Sequence, residues 1–264
     1  MVISFLGTGT SHGIPVIACS CPVCRSEDPK DARYRASILV KGDSGERILV
    51  DAGPEFRLQA IRAGIDRLDA MLLTHAHADH IHGLDDLRPL THTHVLPVYG
   101  NTQTIDELRE RFSYFFRNTQ RGGGKPKIRE TVVSGKFAIG GITVRPIPVE
   151  HGGLEILGWT FREGKTKAAY ITDASAIPAD SLRHLRQLDL LILGALRERP
   201  HETHFSFSQA KALIAELTPR KALITHICHE HSHSEIETWF VGTIAGPAWD
   251  GMEVDPKTRR SITV

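Results

Sequence analysis

Histidine and aspartate side chains are concentrated in the stretch LLTHAHADHIHGLDD, residues 72–86. His75, His77, Asp79 and His80 form the pattern His-x-His-x-Asp-His directly after an apolar run. Imidazole is a good ligand for zinc and similar metals, and a carboxylate can bridge two ions. Without such a partner, burying these polar groups costs several kcal/mol, roughly. The pattern predicts a loop that wraps a pair of metal ions. The alternatives are a solvated histidine-rich loop or histidines satisfied by hydrogen bonds in the core.

Candidate ligands also occur elsewhere in the chain, always where an apolar run ends. These runs end at Asp51, His75, His151, Asp173 and His226. Functional groups in helix-covered sheets collect beyond one end of the strands. We therefore expect the distant members to complete the metal shells. Other histidines are expected to be ordinary surface or supporting residues, namely His82, His92, His94 and His184.

Three of the four cysteines, Cys19, Cys21 and Cys24, lie within the short motif CSCPVC. The N-terminal segment lacks the pattern of a signal peptide, and no apolar run reaches the ~18 residues of a membrane span. We therefore expect a cytoplasmic protein that does not enter a membrane. Three closely spaced thiols in a reducing compartment favour a metal site, with a disulfide as the alternative.

The whole chain, residues 1–264, is predicted to form one domain, because it contains no internal repeat and no long linker. Apolar residues make up 41% of it, and its net charge of +1 gives no overall attraction to nucleic acid or anionic membranes. Short apolar strands alternate with helices in the second half. Helices are predicted over 178–188 and 206–217, the latter with Ser206 or Ser208 as its N-cap.

The motif THAHADH resembles the signature of the metallo-β-lactamase fold, and the resemblance extends over nearly the whole chain. It implies an α/β protein, an αββα four-layer sandwich with a dinuclear metal site at one edge of its two sheets. By position, the first ion would be held by His75, His77 and His151, and the second by Asp79, His80 and His226. The resemblance also implies that Asp173 bridges the ions and that Asp51 orients a ligating imidazole.

The motif CSCPVC resembles the zinc loop of the PhnP-type phosphodiesterases within that superfamily. The resemblance implies a structural zinc held by Cys19, Cys21, Cys24 and His229, with Cys228 and His231 as rival fourth ligands. Such a set is closed to substrate, as a structural site requires. In HETHFSFSQA, His204 is similar to a histidine that lies near the phosphate in that family, although the neighbouring His201 or a helix-capping role are alternatives. The ending Asp250-Gly251-Met252 is similar as well.

This resemblance implies a metal-dependent phosphodiesterase that acts on small cyclic phosphodiesters. The expected substrates are 5-phosphoribosyl 1,2-cyclic phosphate or 2′,3′-cyclic nucleotides. Two active-site ions, either zinc, manganese or nickel, would lower the pKa of a shared water and supply a bridging hydroxide. Asp79 and His204 are the predicted catalytic residues, and a protonated His204 would donate to the leaving oxygen or hold the phosphate.

A basic segment at residues 109–130 departs from the PhnP pattern and looks like an insertion. It contains seven basic and two acidic residues, interleaved with aromatic ones. Such a composition can bind RNA, so an RNA-processing nuclease is one alternative function. A lid over the active site or a contact between two copies of the chain is the favoured explanation of this segment. A PqqB-like role in cofactor biosynthesis is the other alternative function.

Overall fold

Two β-sheets form the centre of the protein in a computed structural model that describes residues 1–117, 124–258 and 261–263, the last three for their backbone alone. The strands are β1 (Val2–Gly7), β2 (Ser37–Lys41), β3 (Arg47–Val50), β4 (Ala70–Leu72), β5 (Leu96–Gly100), β6 (Ile128–Val132), β7 (Phe137–Ile139), β8 (Ile142–His151), β9 (Leu154–Glu163), β10 (Thr166–Ile171), β11 (Leu190–Gly194), β12 (Ala222–Thr225), β13 (Ala245–Pro247), β14 (Met252–Val254) and β15 (Ser261–Thr263). Their order is β15-β14-β1-β2-β3-β4-β5-β6 in one sheet and β13-β12-β11-β10-β9-β8-β7 in the other.

Each sheet is mixed, with a parallel half and an antiparallel half. Strands β3 to β6 are parallel to one another, as are β10 to β13. The parallel strands β4, β11 and β12 consist almost entirely of buried apolar residues. This is expected of parallel strands that are covered on both faces.

Helices cover the outer face of each sheet. They are α1 (Phe56–Arg62), α2 (Ala78–Ile81), α3 (Thr102–Arg111), α4 (Ser113–Phe116), α5 (Ala179–Leu182), α6 (Phe207–Leu217) and α7 (His233–Trp239). One apolar cluster lies between the sheets and includes Phe5, Trp159 and Tyr170. Two further clusters join α1–α4 to the first sheet and α5–α7 to the second. The predicted αββα sandwich is confirmed.

The two helices predicted near the end of the chain have different outcomes. Ser206 is the N-cap of α6, in a capping box with Gln209. The helix predicted over 178–188 is wrong in extent, because α5 ends at Leu182 and a 3₁₀ turn follows. Helical geometry ends at Arg186, whose backbone is extended with φ of −83° and ψ of 153°, before the left-handed Gln187 and the start of β11. None of the helices in the described part of the chain is long and apolar enough to cross a membrane.

The basic segment at 109–130 joins α3 to the edge strand β6, and its residues 118–123 lie outside the described residues. Phe112 and Phe115 are buried against the first sheet. Tyr114 donates a hydrogen bond to Asp85, at 2.6 Å between oxygens. Half of the aromatic residues in this basic segment therefore pack into the protein and are not available to stack on a ligand.

Candidate metal centres

The sheets bring the predicted ligands to one edge of the sandwich. Asp51 follows β3, His75 follows β4, Asp173 follows β10 and His226 follows β12, whereas His151 is the last residue of β8. Asp51, Asp173 and His226 all have left-handed backbones, with φ of 61°, 49° and 56°. Such φ values are unfavourable for side chains with a Cβ and cluster at functional sites. The sharp turns direct these three side chains away from the strands.

Asp51 fixes the orientation of His80. The Asp51 carboxylate is fully buried and accepts hydrogen bonds from the Thr74 N–H at 2.9 Å and the Thr74 hydroxyl at 2.8 Å. Its Oδ2 also lies 2.8 Å from Nδ1 of His80, which donates the third hydrogen bond. Because Nδ1 is occupied, His80 presents Nε2 to the other candidate ligands.

His75, His77 and His151 form one group, whose ring nitrogens lie within 4.8 Å of one another. Nδ1 of His151 lies 2.9 Å from the Thr203 carbonyl, to which it donates, so that Nε2 is left for the group. Gly152 allows this approach, because a Cβ there would lie 2.4 Å from the Thr203 methyl carbon. Burial lowers the pKa of His75 well below its usual value, which favours the neutral ring that binds metals.

Asp79, His80, Asp173 and His226 form a second, buried group. Burial opposes ionisation of Asp173, but His226 and His80 outweigh it and hold the pKa of Asp173 well below its usual range. Burial likewise opposes ionisation of Asp79, but His80 and His226 lower its pKa. Both acids are therefore carboxylates. Asp173 also lies within 4.8 Å of a nitrogen of His151, between the two groups, where a bridging ligand would be.

The geometry of both groups fits metal ions. Among the described residues, Nε2 of His75 and of His80 is buried without a hydrogen-bond partner, and Nε2 of His226 lies 3.0 Å from Oδ1 of Asp173. Nε2 of His80 lies 3.3 Å from carboxylate oxygens of both Asp79 and Asp173, longer than a charge-assisted hydrogen bond of ~2.8 Å. Ligands of a tetrahedral ion at about 2.0–2.1 Å lie about 3.3–3.4 Å apart. At His80 this spacing suits a shared ion better than direct hydrogen bonds.

His204 lies beside the second group on the loop between β11 and α6. Its Nδ1 is 3.8 Å from Asp173, and its ring stacks on His226 with centroids 4.8 Å apart. Burial, reinforced by His226, lowers the pKa of His204 to about 3. The ring is therefore neutral, which differs from the protonated form expected from the sequence. His201 lies farther out and accepts a hydrogen bond from the Thr203 N–H, at 3.2 Å.

The cysteine-rich loop forms a separate group with His229. Nδ1 of His229 lies 3.4 Å from Sγ of each of Cys19, Cys21 and Cys24. A tetrahedral zinc with one nitrogen and three sulfur ligands separates nitrogen from sulfur by about 3.5 Å. All four cysteines of the chain are free thiols. The backbone N–H of Cys24 lowers the pKa of Cys21 to about 6, which favours the thiolate that binds metal.

The rival fourth ligands point elsewhere. Among the described residues, neither Cys228 nor His231 belongs to a group that could hold a metal ion. Their backbone carbonyls instead accept hydrogen bonds from the buried guanidinium of Arg33, at 2.8 and 3.2 Å. Arg33 therefore fixes the backbone on both sides of His229. No sequence motif indicates this role, which depends on a contact between residues about two hundred positions apart.

The four histidines expected to be ordinary lie outside all of these groups, which are drawn from the described residues alone. His82 packs near Phe112 with ring centroids 6.2 Å apart. Nε2 of His94 lies 3.2 Å from the Leu68 carbonyl. Thr74 and Thr203, by contrast, contact the candidate ligands directly but have no signal in the sequence, because threonines are common and these two act through ordinary hydrogen bonds.

Known proteins resemble this chain in sequence and in fold. A family model described as a beta-lactamase superfamily domain matches residues 46–227. An octanoyltransferase of Porphyromonas gingivalis is 41% identical over 226 residues, which is 85% of this chain but 45% of the relative. The chain thus spans less than half the length of that protein.

Two solved structures share the fold over nearly the whole chain. A diphosphatase from the PhnP family superposes with a TM-score of 0.87 and 38% identity, covering 96% of this chain and 97% of the other. Zinc-bound PqqB from Methylobacterium extorquens superposes with a TM-score of 0.79 and 19% identity, covering 97% of this chain and all of the other. The second likeness shows the fold alone. The chain therefore belongs to the beta-lactamase superfamily and, within it, to the PhnP family.

Proposed function

We propose that this hydrolase is a phosphodiesterase for small cyclic phosphodiesters, with 5-phosphoribosyl 1,2-cyclic phosphate and 2′,3′-cyclic nucleotides as substrates. The observation that carries the proposal is the adjacency of two ligand groups, linked through Asp173, with His204 beside them. Two ions in these groups, of zinc, manganese or nickel, would supply an activated water and neutralise phosphate charge. The ions would be held by His75, His77, His151, Asp79, His80, His226 and Asp173.

The residues of the chain have distinct tasks in this reaction. Asp51 and Thr203 hold the rings of His80 and His151 through their Nδ1 atoms, so that the ligand geometry exists before substrate binds. His204, as a neutral imidazole, donates one N–H to a phosphate oxygen and thereby orients the substrate. Asp79 completes the second group as a carboxylate. Its oxygen is 3.7 Å from Nε2 of His226.

The cysteine-rich group has a structural task in the proposal. Cys19, Cys21, Cys24 and His229 would hold one zinc with no position open to substrate. The equal nitrogen–sulfur distances of 3.4 Å support this assignment.

Hydrolysis of a diphosphate is a second candidate function. The PhnP-family relative at 38% identity is a diphosphatase, and the similarity covers almost all of both chains. Diphosphates and phosphodiesters are both cleaved by displacement at phosphorus, so that the same ligand groups would serve either reaction. The octanoyltransferase name gives no comparable support, because less than half of that protein is matched.

The nuclease alternative has weaker support. Several cations of the basic segment already have partners in the protein. Arg109 pairs with Glu130, and Arg111 pairs with Glu107. Lys125 donates to two backbone carbonyls of α4 and its flank. A PqqB-like role shares the fold, and it predicts no turnover of any phosphate ester.

The test is turnover by metal-loaded protein of cyclic phosphodiesters, a nucleoside diphosphate ester and a precursor tRNA in one panel. We expect rapid hydrolysis of the cyclic diesters and loss of at least ~10³-fold in Asp79→Ala, whose metal content is measured alongside. Preferential hydrolysis of the diphosphate would select the second candidate. Cleavage of the precursor alone would select the nuclease, and complete inactivity would refute all three. Near-normal turnover by Asp79→Ala would refute the role of this ligand group.

A further inference from the structure

A cationic cavity of about 390 Å³ lies on the outer side of the second sheet. Three segments line it: the β9–β10 hairpin, the loop before β11 and the loop before β12. Arg162, Lys165, Lys167 and Arg220 line it together with a single carboxylate, Asp189. That carboxylate is already engaged, since it accepts hydrogen bonds from the Lys167 backbone N–H and the Arg220 guanidinium, both at 2.9 Å.

The sheet register brings like charges together beside this cavity. Arg162 on β9 is directly opposite Lys167 on β10. Arg145 on β8 is opposite Thr160 and therefore lies diagonally next to Arg162, on the same face. Like charges directly opposite on a sheet are destabilising.

These cations have little neutralisation within the protein. In the part of the chain that the structure describes, Arg145, Arg162 and Lys167 make no ion pair with a carboxylate. Nζ of Lys167 donates to the Arg186 carbonyl at 2.8 Å, and Nε of Arg162 donates to the Gly164 carbonyl at 3.3 Å. Burial, together with Arg162 and Arg145, lowers the pKa of Lys167. The donors that remain have no anionic partner.

The cavity is separate from the candidate metal centres. Arg145 precedes His151 by six residues of β8, a distance of about 20 Å at the ~3.3 Å rise of a strand. The cationic face lies near the start of β8 and β10, whereas the metal ligands follow their ends. A small molecule cannot contact both sites at once.

We propose that this cavity is a second binding site, specific for the phosphate chain of a small polyphosphate. A chain of two or three phosphates has the size for a cavity of this volume and the charge to bridge Arg162 and Lys167. Guanidinium groups bind phosphate oxygens in pairs, and ammonium groups add point charges. The bound anion turns a repulsive pair of cations into a bridged one.

The test is calorimetric titration of metal-loaded protein with inorganic triphosphate, supplied as its magnesium complex with excess magnesium. Metal content is measured before and after, so that chelation is detected. We expect saturable binding that weakens about a hundredfold in the double variant Arg162→Ala/Lys167→Met, since two charge-assisted contacts are lost at about tenfold each. Arg57→Ala, which removes an exposed cation from α1, is the matched control and should bind like the natural chain.

Two further readouts separate binding from a structural role. The double variant should melt close to the natural chain, because the repulsion that it loses offsets the hydrogen bonds of Lys167 to Arg186 and of Arg162 to Gly164, and its turnover at the metal centres should be unchanged. If the double variant does not fold, Lys165→Ala in the exposed hairpin turn serves as a second variant, and it should also weaken triphosphate binding. Adenosine triphosphate distinguishes recognition of the phosphate chain alone from recognition of a nucleotide. Absence of saturable binding to the natural chain, or equal binding by the cavity variants, overturns the proposal.

Discussion

The substitution Asp51→Asn tests whether His80 binds a metal ion through Nε2. Oδ2 of Asp51 accepts from both the Thr74 hydroxyl and Nδ1 of His80, each at 2.8 Å. Asparagine has one acceptor oxygen, which the Thr74 N–H retains. Its amide N–H₂ would then face Nδ1 of His80 and donate to it. The ring proton must move to Nε2, where it points at Asp79 and Asp173 instead of leaving a lone pair for a metal.

The expected loss of metal affinity follows from the loss of this one ligand atom. Partners that orient ligating histidines change metal affinity by about 10–100-fold when they are replaced. This is about 1.4–2.8 kcal/mol of binding free energy. Because the side chain keeps its size and the Thr74 N–H keeps its acceptor, we expect the fold to survive.

Metal affinity is measured by equilibrium competition with a chromophoric chelator, and turnover is measured at limiting and at saturating metal. The matched control is Asp250→Asn, which changes another carboxyl that is almost entirely buried and lies outside the ligand groups. It accepts hydrogen bonds from the Thr8 hydroxyl and the Tyr34 N–H, both at 2.7 Å. We expect the control to keep its metal affinity. If Asp51→Asn binds metal as tightly as the natural chain, the tautomer argument for His80 is refuted.

Three other predictions concern zinc retention and the stability of the folded state. Cys21→Ser should lose one zinc per chain by elemental analysis and unfold at lower denaturant, and a full zinc complement would contradict the assignment. Arg33→Met should weaken zinc retention against a chelator, because His229 loses its fixed flanks, whereas an unchanged rate of zinc release would count against the positioning role. Burial raises the pKa of Asp250 to about 6, so the folded state binds the proton more tightly than the unfolded state. The free energy of unfolding should therefore fall as pH rises from about 4 to about 6, by up to about 3 kcal/mol. Asp250→Asn should remove this decline in urea unfolding, and an identical pH dependence in both proteins would refute it.

The sequence predicts the fold and the ligand groups because both depend on local patterns. Each buried strand is a short apolar run, and a ligand residue follows several of them directly. The side chains of His75, Asp79 and His80 then converge, because α2 turns Asp79 and His80 back toward the strand ends. The N-cap at Ser206 was predictable for the same reason, since a capping box lies within four residues.

Contacts between distant segments could not be predicted in this way. Every residue has a backbone carbonyl, so nothing in the sequence marks that of Thr203, which holds the ring of His151. Arg33 looks like any surface cation in the sequence but is completely buried. The cationic cavity depends on the register of the β9–β10 hairpin, which pairs Arg162 with Lys167. Such features depend on register and chain packing, which no single stretch of residues encodes.

The contact between the cysteine-rich loop and the segment after β12 bears on the order in which the protein folds. Cys19 and His229 are separated by 210 positions, and Ile227 exchanges hydrogen bonds with Thr8 and Thr10. A ribosome must therefore release the chain through His229 before the cysteine-rich group can close, and through His226 before that residue can join its partners. Until then the three thiols await their fourth ligand, and formation of such long-range contacts is slow. A nascent chain that stops short of residue 226 can therefore complete neither ligand group.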